Sequence, residues 1–143
     1  MKVEIEIEGG EELLKALERS YVNADKALDE ATLAGGEVVR REANRLAPSP
    51  DVEVEVEREG ERAVAKIGPH KDKWYLRFFE LGATSHEITG LPLAFEGRAG
   101  LVITGRVDHP GMAARPFLRP AIDSKQDAAR DAVGVVLKRA VER

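Results

Sequence analysis

Residues 11–46 read EELLKALERSYVNADKALDEATLAGGEVVRREANRL, and the repeat within this stretch decides the fold class. Leu14, Leu17, Tyr21, Ala24, Leu28, Ala31, Gly35 and Val38 recur at spacings of three and four, the period of one face of an α-helix. A helix from Glu11 to about Leu46 follows. Glu11 and Glu12 suit its positive N-terminal end, Arg40, Arg41 and Arg45 its negative C-terminal end, and Pro48 stops it. Gly35-Gly36 interrupts the pattern at a cost of ~1 kcal/mol per glycine relative to alanine. Either the helix kinks there or a neighbour comes close. The stripe is narrow and rich in alanine, open to a second helix or to the domain's own core.

On both sides of this helix the period changes to two. Residues 2–7, KVEIEI, set Val3, Ile5 and Ile7 against charges, as in a half-buried strand, and Gly9-Gly10 ends it. Residues 51–58, DVEVEVER, and 62–68, RAVAKIG, alternate in the same way around Glu59-Gly60, which predicts a β-hairpin. Trp74, Tyr75, Phe78 and Phe79 gather four of the seven aromatic residues and are expected to anchor the core. Residues 82–112, rich in glycine and proline with short apolar runs at 91–95 and 101–103, predict a long loop or weak hairpin. Pro116-Phe117-Leu118 then leads through Pro120 into a helix from about Ala121 to Val141, with Ala129, Ala132, Val133, Val136 and Ala140 on one face. The order predicts a single α+β domain over residues 1–143, with two helices on one face of a small, mainly antiparallel sheet.

Composition narrows the chemistry. Cysteine is absent, which removes disulfides, thiolate metal sites and cysteine nucleophiles together. No apolar run approaches the ~20 residues that cross a bilayer, and the first ten residues alternate charge with apolar side chains unlike a signal peptide. A soluble chain made in the cytoplasm, with no membrane partner, is expected. Residues 1–61 carry 17 acidic and 8 basic side chains and residues 62–143 carry 9 and 14, so the halves stand at −9 and +5. Two solvated surfaces of opposite sign account for this, as do complementary edges between neighbouring copies.

His70, His86 and His109 are the only histidines, and no pair has the i, i+4 spacing that aims two imidazoles at one metal. HEITG at residues 86–90 begins like a zinc-protease motif and lacks the second histidine. Ser85, His86 and Glu87 are adjacent, whereas the members of a catalytic triad converge from separate elements. The alternating carboxylates of residues 51–57 sit on a solvent face, without the burial that raises a general acid's pKa. The expectation is no catalytic residue, no cofactor and no metal.

Two strings remain, FFELGATSH at 78–86 and HPGMAARPFLRPAID at 109–123. With Leu46-Ala47-Pro48 they resemble the head-tail joining, or tail-component, family of tailed bacteriophages, the family of the tenth gene product of the Hong Kong 97 phage. Relatives share a helix ending near Ala-Pro, a (Y/F)-x-E-x-G-T pattern, and H-P-G rising to a P-F-(L)-x-P-A string before the last helix. The matching positions are Phe79, Glu80, Gly82 and Thr84, then His109, Pro110 and Gly111, then Arg115, Pro116, Phe117, Arg119 and Pro120 with its Ala121. Ala83 separates Gly82 from Thr84, and Ser49-Pro50 stands where relatives often carry a threonine-glycine turn.

The resemblance implies a structural virion protein, assembled in the bacterial host cytoplasm. It would be a tail-completion or tail-terminator subunit forming a homo-oligomeric, hexameric ring between head connector and tail tube. Other neck and tail-tube proteins would be its partners, and passing DNA a non-specific contact. A head-closure protein of the same junction is the alternative. In physical terms Pro116 and Pro120 hold Phe117 as a plug, Gly82 and Gly111 permit tight turns, and Glu80, Arg115 and Arg119 are candidates for ion pairs. Two further readings are a nucleic-acid-binding module using Arg98, Arg106, Arg115 and Arg119, and a small hydrolase built on His86 and Glu87.

Overall fold

A computed structural model describes residues 8–143, so the strand expected at residues 2–7 lies outside the described residues. Helix α1 spans Gly10–Leu46 and runs through Gly35-Gly36. Gly9 turns the chain into it at φ 79°, and Leu13 N–H closes the first turn on the Gly9 carbonyl. The helix ends where Ala47 becomes extended (φ −68°, ψ 147°), the region into which a proline forces the residue before it.

Strands β1 (Val52–Glu59) and β2 (Arg62–Pro69) pair antiparallel from Val52↔Pro69 to Glu59↔Arg62. The turn is Gly60-Glu61, with Gly60 at φ 62°. This ribbon lies across α1 and is tied to it at both ends of β1. At the base the Asn44 side-chain amide imitates a strand edge, donating to the Val52 carbonyl at 3.2 Å and accepting the Val52 N–H at 2.8 Å. At the tip the Arg58 guanidinium reaches Asp25 and Asp29, and Tyr21 Oη donates to Glu61 at 2.7 Å. The tip contacts are exposed ion pairs that orient more than they stabilise.

A 3-10 turn at Lys71–Leu76 runs into the short helix α2 (Arg77–Leu81). Strands β3 (His86–Gly97) and β4 (Gly100–His109) follow, and α3 (Leu118–Val141) closes the chain. Helix α3 lies along α1, and the two glycines explain how α1 holds two neighbours at once. A Cβ on Gly35 would stand 2.8 Å from Val133 Cγ2 and 3.2 Å from the Ala129 carbonyl oxygen. One on Gly36 would stand 2.7 Å from Val54 Cγ2 and 3.1 Å from Ala65 Cβ. Successive helical residues point about 100° apart. Gly35 therefore admits α3 and Gly36 admits the β1–β2 ribbon, so the close neighbours belong to the domain's own core.

The α+β class holds, with three corrections in its arrangement. First, the described strands form two separate two-stranded ribbons instead of one sheet. The chain leaves β2 through the 3-10 turn and α2, and the root of β3–β4 is closed by the Ala83–Met112 bridge, not by an edge of β2. Second, α3 rests on α1 beside the sheet, and an open apolar groove of about 460 Å3 remains between α3 and β2, lined by Ala65, Ile67, Ile122 and Val133. Third, the aromatic anchor is not Trp74 or Tyr75, which are exposed; Leu76 is buried, and Phe79, three residues on, packs beside it. A tight helical turn places i and i+3 on one side, so Leu76 and Phe79 face inward and Trp74 outward. There the Arg77 guanidinium lies 5.0 Å from the Phe78 ring and 5.9 Å from the Trp74 ring.

The core is small: Val39, Ala43, Val52, Leu76, Phe117 and Ala121. It occupies the C-terminal end of α1, whose first buried residue is Ala31. Helix α3, from the basic half of the sequence, lies along α1, from the acidic half. No helix among the described residues is long and apolar enough to cross a membrane.

Gly36→Val should cost about 2 kcal/mol or more in urea unfolding, because overpacking against Val54 and Ala65 outweighs the gain in helix propensity. Gly134→Ala in α3, where an added Cβ meets nothing within 4 Å, should instead stabilise by about 0.5–1 kcal/mol.

Candidate functional site

The two motif strings, some thirty residues apart, run side by side in opposite directions. At their centre Ala83 and Met112 exchange both backbone hydrogen bonds, at 2.9 and 2.8 Å. Gly82 and Gly111 flank this bridge with φ of 73° and 82°, a region that side-chain-bearing residues resist. Each also approaches the opposite backbone: a Cβ on Gly82 would lie 2.9 Å from the Met112 carbonyl oxygen, and one on Gly111 2.8 Å from the Ser85 nitrogen. Below the bridge Arg115 N–H donates to the Phe79 carbonyl at 2.6 Å. Above it His86 and His109 are paired across the ribbon, with rings stacked at 5.1 Å. His86 Nδ1 sits 3.0 Å from the Thr84 carbonyl oxygen, and His109 Nδ1 accepts the Gly111 N–H at 3.1 Å.

Glu80 fastens this assembly to the core. Its Oε2 accepts the N–H groups of Phe117 at 2.7 Å and Leu118 at 2.9 Å, and its Oε1 accepts that of Arg119 at 3.0 Å. The next residue, Pro120, has no N–H. The opening turn of α3 is therefore capped completely by one carboxylate and one proline, and the helix dipole favours the negative charge placed there. Partial burial opposes ionisation of Glu80, but the hydrogen bonds from Phe117, Leu118 and Arg119 outweigh it and hold the carboxyl below its ordinary range. Phe117, held between Pro116 and this cap, is fully buried against the core.

Of the three candidates for ion pairs, Glu80 is engaged by backbone N–H groups and not by a guanidinium. A carboxylate at a helix start finds several N–H groups already aimed at it, whereas a guanidinium must give up solvent and rotamer freedom. The Arg119 guanidinium lies 3.5 Å from Asp123 instead, and Arg115, Pro110, Pro116 and Thr84 are exposed. Ala83 and Met112, which form the bridge, carry no sequence signal of their own; only their neighbouring glycines mark the place.

From this clamp β3–β4 projects as an arm. Its base pairs His86–Thr89 with Arg106–His109, and its outer half pairs Leu93–Gly97 with Gly100–Thr104. Between them Gly90-Leu91-Pro92 faces the single residue Gly105, a bulge that suits a proline without an N–H to give. The arm makes no extensive contact with any other element. Phe95, Leu101, Val102 and Ile103 are exposed on it, distributed over both faces.

The groups considered for chemistry are spread along this arm. Glu87 pairs with Arg106 at 2.8 Å, turned away from the stacked histidines, and both Glu87 and His86 are exposed. Among the described residues no group of three or more His, Asp or Glu is placed to hold a metal ion. Of the four arginines considered for nucleic acid, Arg98 is at the arm tip, Arg106 is engaged with Glu87 and Asp108 at the base, and Arg115 and Arg119 flank the start of α3. Comparison with known proteins finds no matching family, no matching curated protein and no matching solved structure.

Glu80→Ala should lower stability by about 1–3 kcal/mol, since three helix-start N–H groups lose their acceptor. Glu80→Gln should keep part of this. A carboxylate whose pKa is depressed on folding contributes stability that is present above its unfolded pKa and lost as pH falls through its folded one. Denaturant melts across the acid range should accordingly show the wild-type advantage over Glu80→Gln shrinking as pH drops.

Proposed function

We propose that this chain is a structural ring subunit of the neck of a tailed bacteriophage, a tail-completion protein seated between head connector and tail tube, without catalytic chemistry. The placement in a virion rests on the resemblance of residues 78–86 and 109–123 to the tail-component family. The observation that carries the assembly reading is the surface. The chain exposes 11193 Å2, whereas a compact monomer of its mass exposes roughly 7,300 Å2. The surplus is of the size that obligate subunit interfaces remove, on the order of 2,000–5,000 Å2.

The clamp supports the same reading. Six residues of the two strings are used to seat the arm or start α3: Phe79, Glu80, Gly82, His109, Gly111 and Phe117. Such a construction suits a part whose task is to hold a projection at a fixed angle. In a closed ring each subunit offers one surface to the next and receives another, so a rigidly mounted arm sets the rotation between copies.

Negative-stain electron microscopy of the purified chain should show closed rings with sixfold symmetry, and light scattering should give the mass of six chains. A chain that stays monomeric at every concentration overturns this reading.

A further inference from the structure

We infer that the outer half of the β3–β4 arm of one subunit docks on the N-terminal third of α1 of the next copy. This rests on the ring reading above and names the contact that would build the ring. Apart from Leu81 at the end of α2, 78% exposed, the most exposed large aliphatic side chains on the described residues fall in these two places. On α1 they are Leu13, Leu14 and Leu17, each 58–62% exposed; on the arm they are Leu101 at 71% and Ile103 at 64%. Leu13 and Leu17 lie four residues apart and Leu14 and Leu17 three, so they form one stripe.

Among the described residues nothing covers either patch, and the end of α3, with Val141 beside Ala16 and Asn23, leaves Leu13, Leu14 and Leu17 exposed. The core and the root of the arm lie at the C-terminal end of α1, near Ala43. Leu17 stands about 40 Å away along the helix axis. Two different patches on one subunit make a head-to-tail contact, and that kind of contact builds a ring when its rotation closes. A surplus of exposed area large enough for an obligate interface fits a second copy of this chain as the occupant.

The subunit already shows how such a contact is made. The β1–β2 ribbon is stabilised by lying across α1 at Gly36, with Val54 and Ala65 against the helix. The arm is a second ribbon of the same kind with apolar residues on both faces and no extensive contact with another described element. A two-stranded ribbon alone in water is only marginally stable. Docking on the free stretch of α1 repeats the ribbon-on-helix layer between subunits and buries both patches. Because the contact is apolar, it is insensitive to salt, unlike one led by the charge difference between the two halves.

The test uses Leu17→Glu and Ile103→Glu in the full chain, both at exposed positions, with circular dichroism to confirm folding. Each variant alone should fall from ring to monomer in sedimentation velocity, at low and high salt alike. Mixed, the intact arm of Leu17→Glu should dock on the intact stripe of Ile103→Glu, giving heterodimers of twice the monomer mass that cannot grow further. Wild-type rings that survive either substitution, or variants that remain monomeric when mixed, overturn the arm-to-helix contact and leave the ring reading standing. A wild-type chain that is monomeric throughout overturns the ring reading itself.

Discussion

Helix α1 has to touch two elements on two sides at the same level, and only the pair Gly35-Gly36 lets it do so. With no side chain at either position, the α3 backbone near Ala129 and the Val54 and Ala65 side chains of the ribbon come into direct contact with the helix. The helix gives up about 2 kcal/mol of propensity there in total. Close packing on both sides offsets this, because dispersion contacts accumulate over every atom pair brought within reach. The orientation of α3 follows from that contact, and the open groove between α3 and β2 is its geometric remainder.

The start of α3 is the second point at which separate parts of the chain are joined. A helix begins with N–H groups that have no partner, and here the acceptor is a carboxylate from α2, thirty-seven residues earlier. That single side chain links α2 to α3 and seats Phe117 in the core. By fixing both strings it also fixes the root of the arm. Gly82 and Gly111 do the rest, since the two backbones around the Ala83–Met112 bridge are too close for a side chain at either position.

These two constraints concentrate the packed core at one end of a long helix. The other end of α1 and the outer arm are left with apolar side chains in solvent. A chain built in this way has a packed centre and two extensions that the described residues leave exposed. That imbalance is the physical ground on which an assembling role rests.

Much of this was legible in the sequence. The three-and-four spacing of Leu14 through Val38 marks α1, the alternation of Val52, Val54 and Val56 marks the first ribbon, and Ala47-Pro48 marks the helix end, because each is a local steric or periodic rule. The strings at 78–86 and 109–123 mark the clamp, since glycine and proline are needed wherever backbone geometry is unusual. What tertiary structure alone decided is which elements meet. Periodicity states that a face is apolar but not what covers it, so the sequence left Gly35-Gly36 open between a kink and a close neighbour, and Glu80 open to a guanidinium partner. It also put Trp74 among the core anchors with Phe79, and gathered the strands into one sheet. Those choices depend on the direction in which each segment leaves the last, a sum of backbone angles and long-range contacts that no local pattern records.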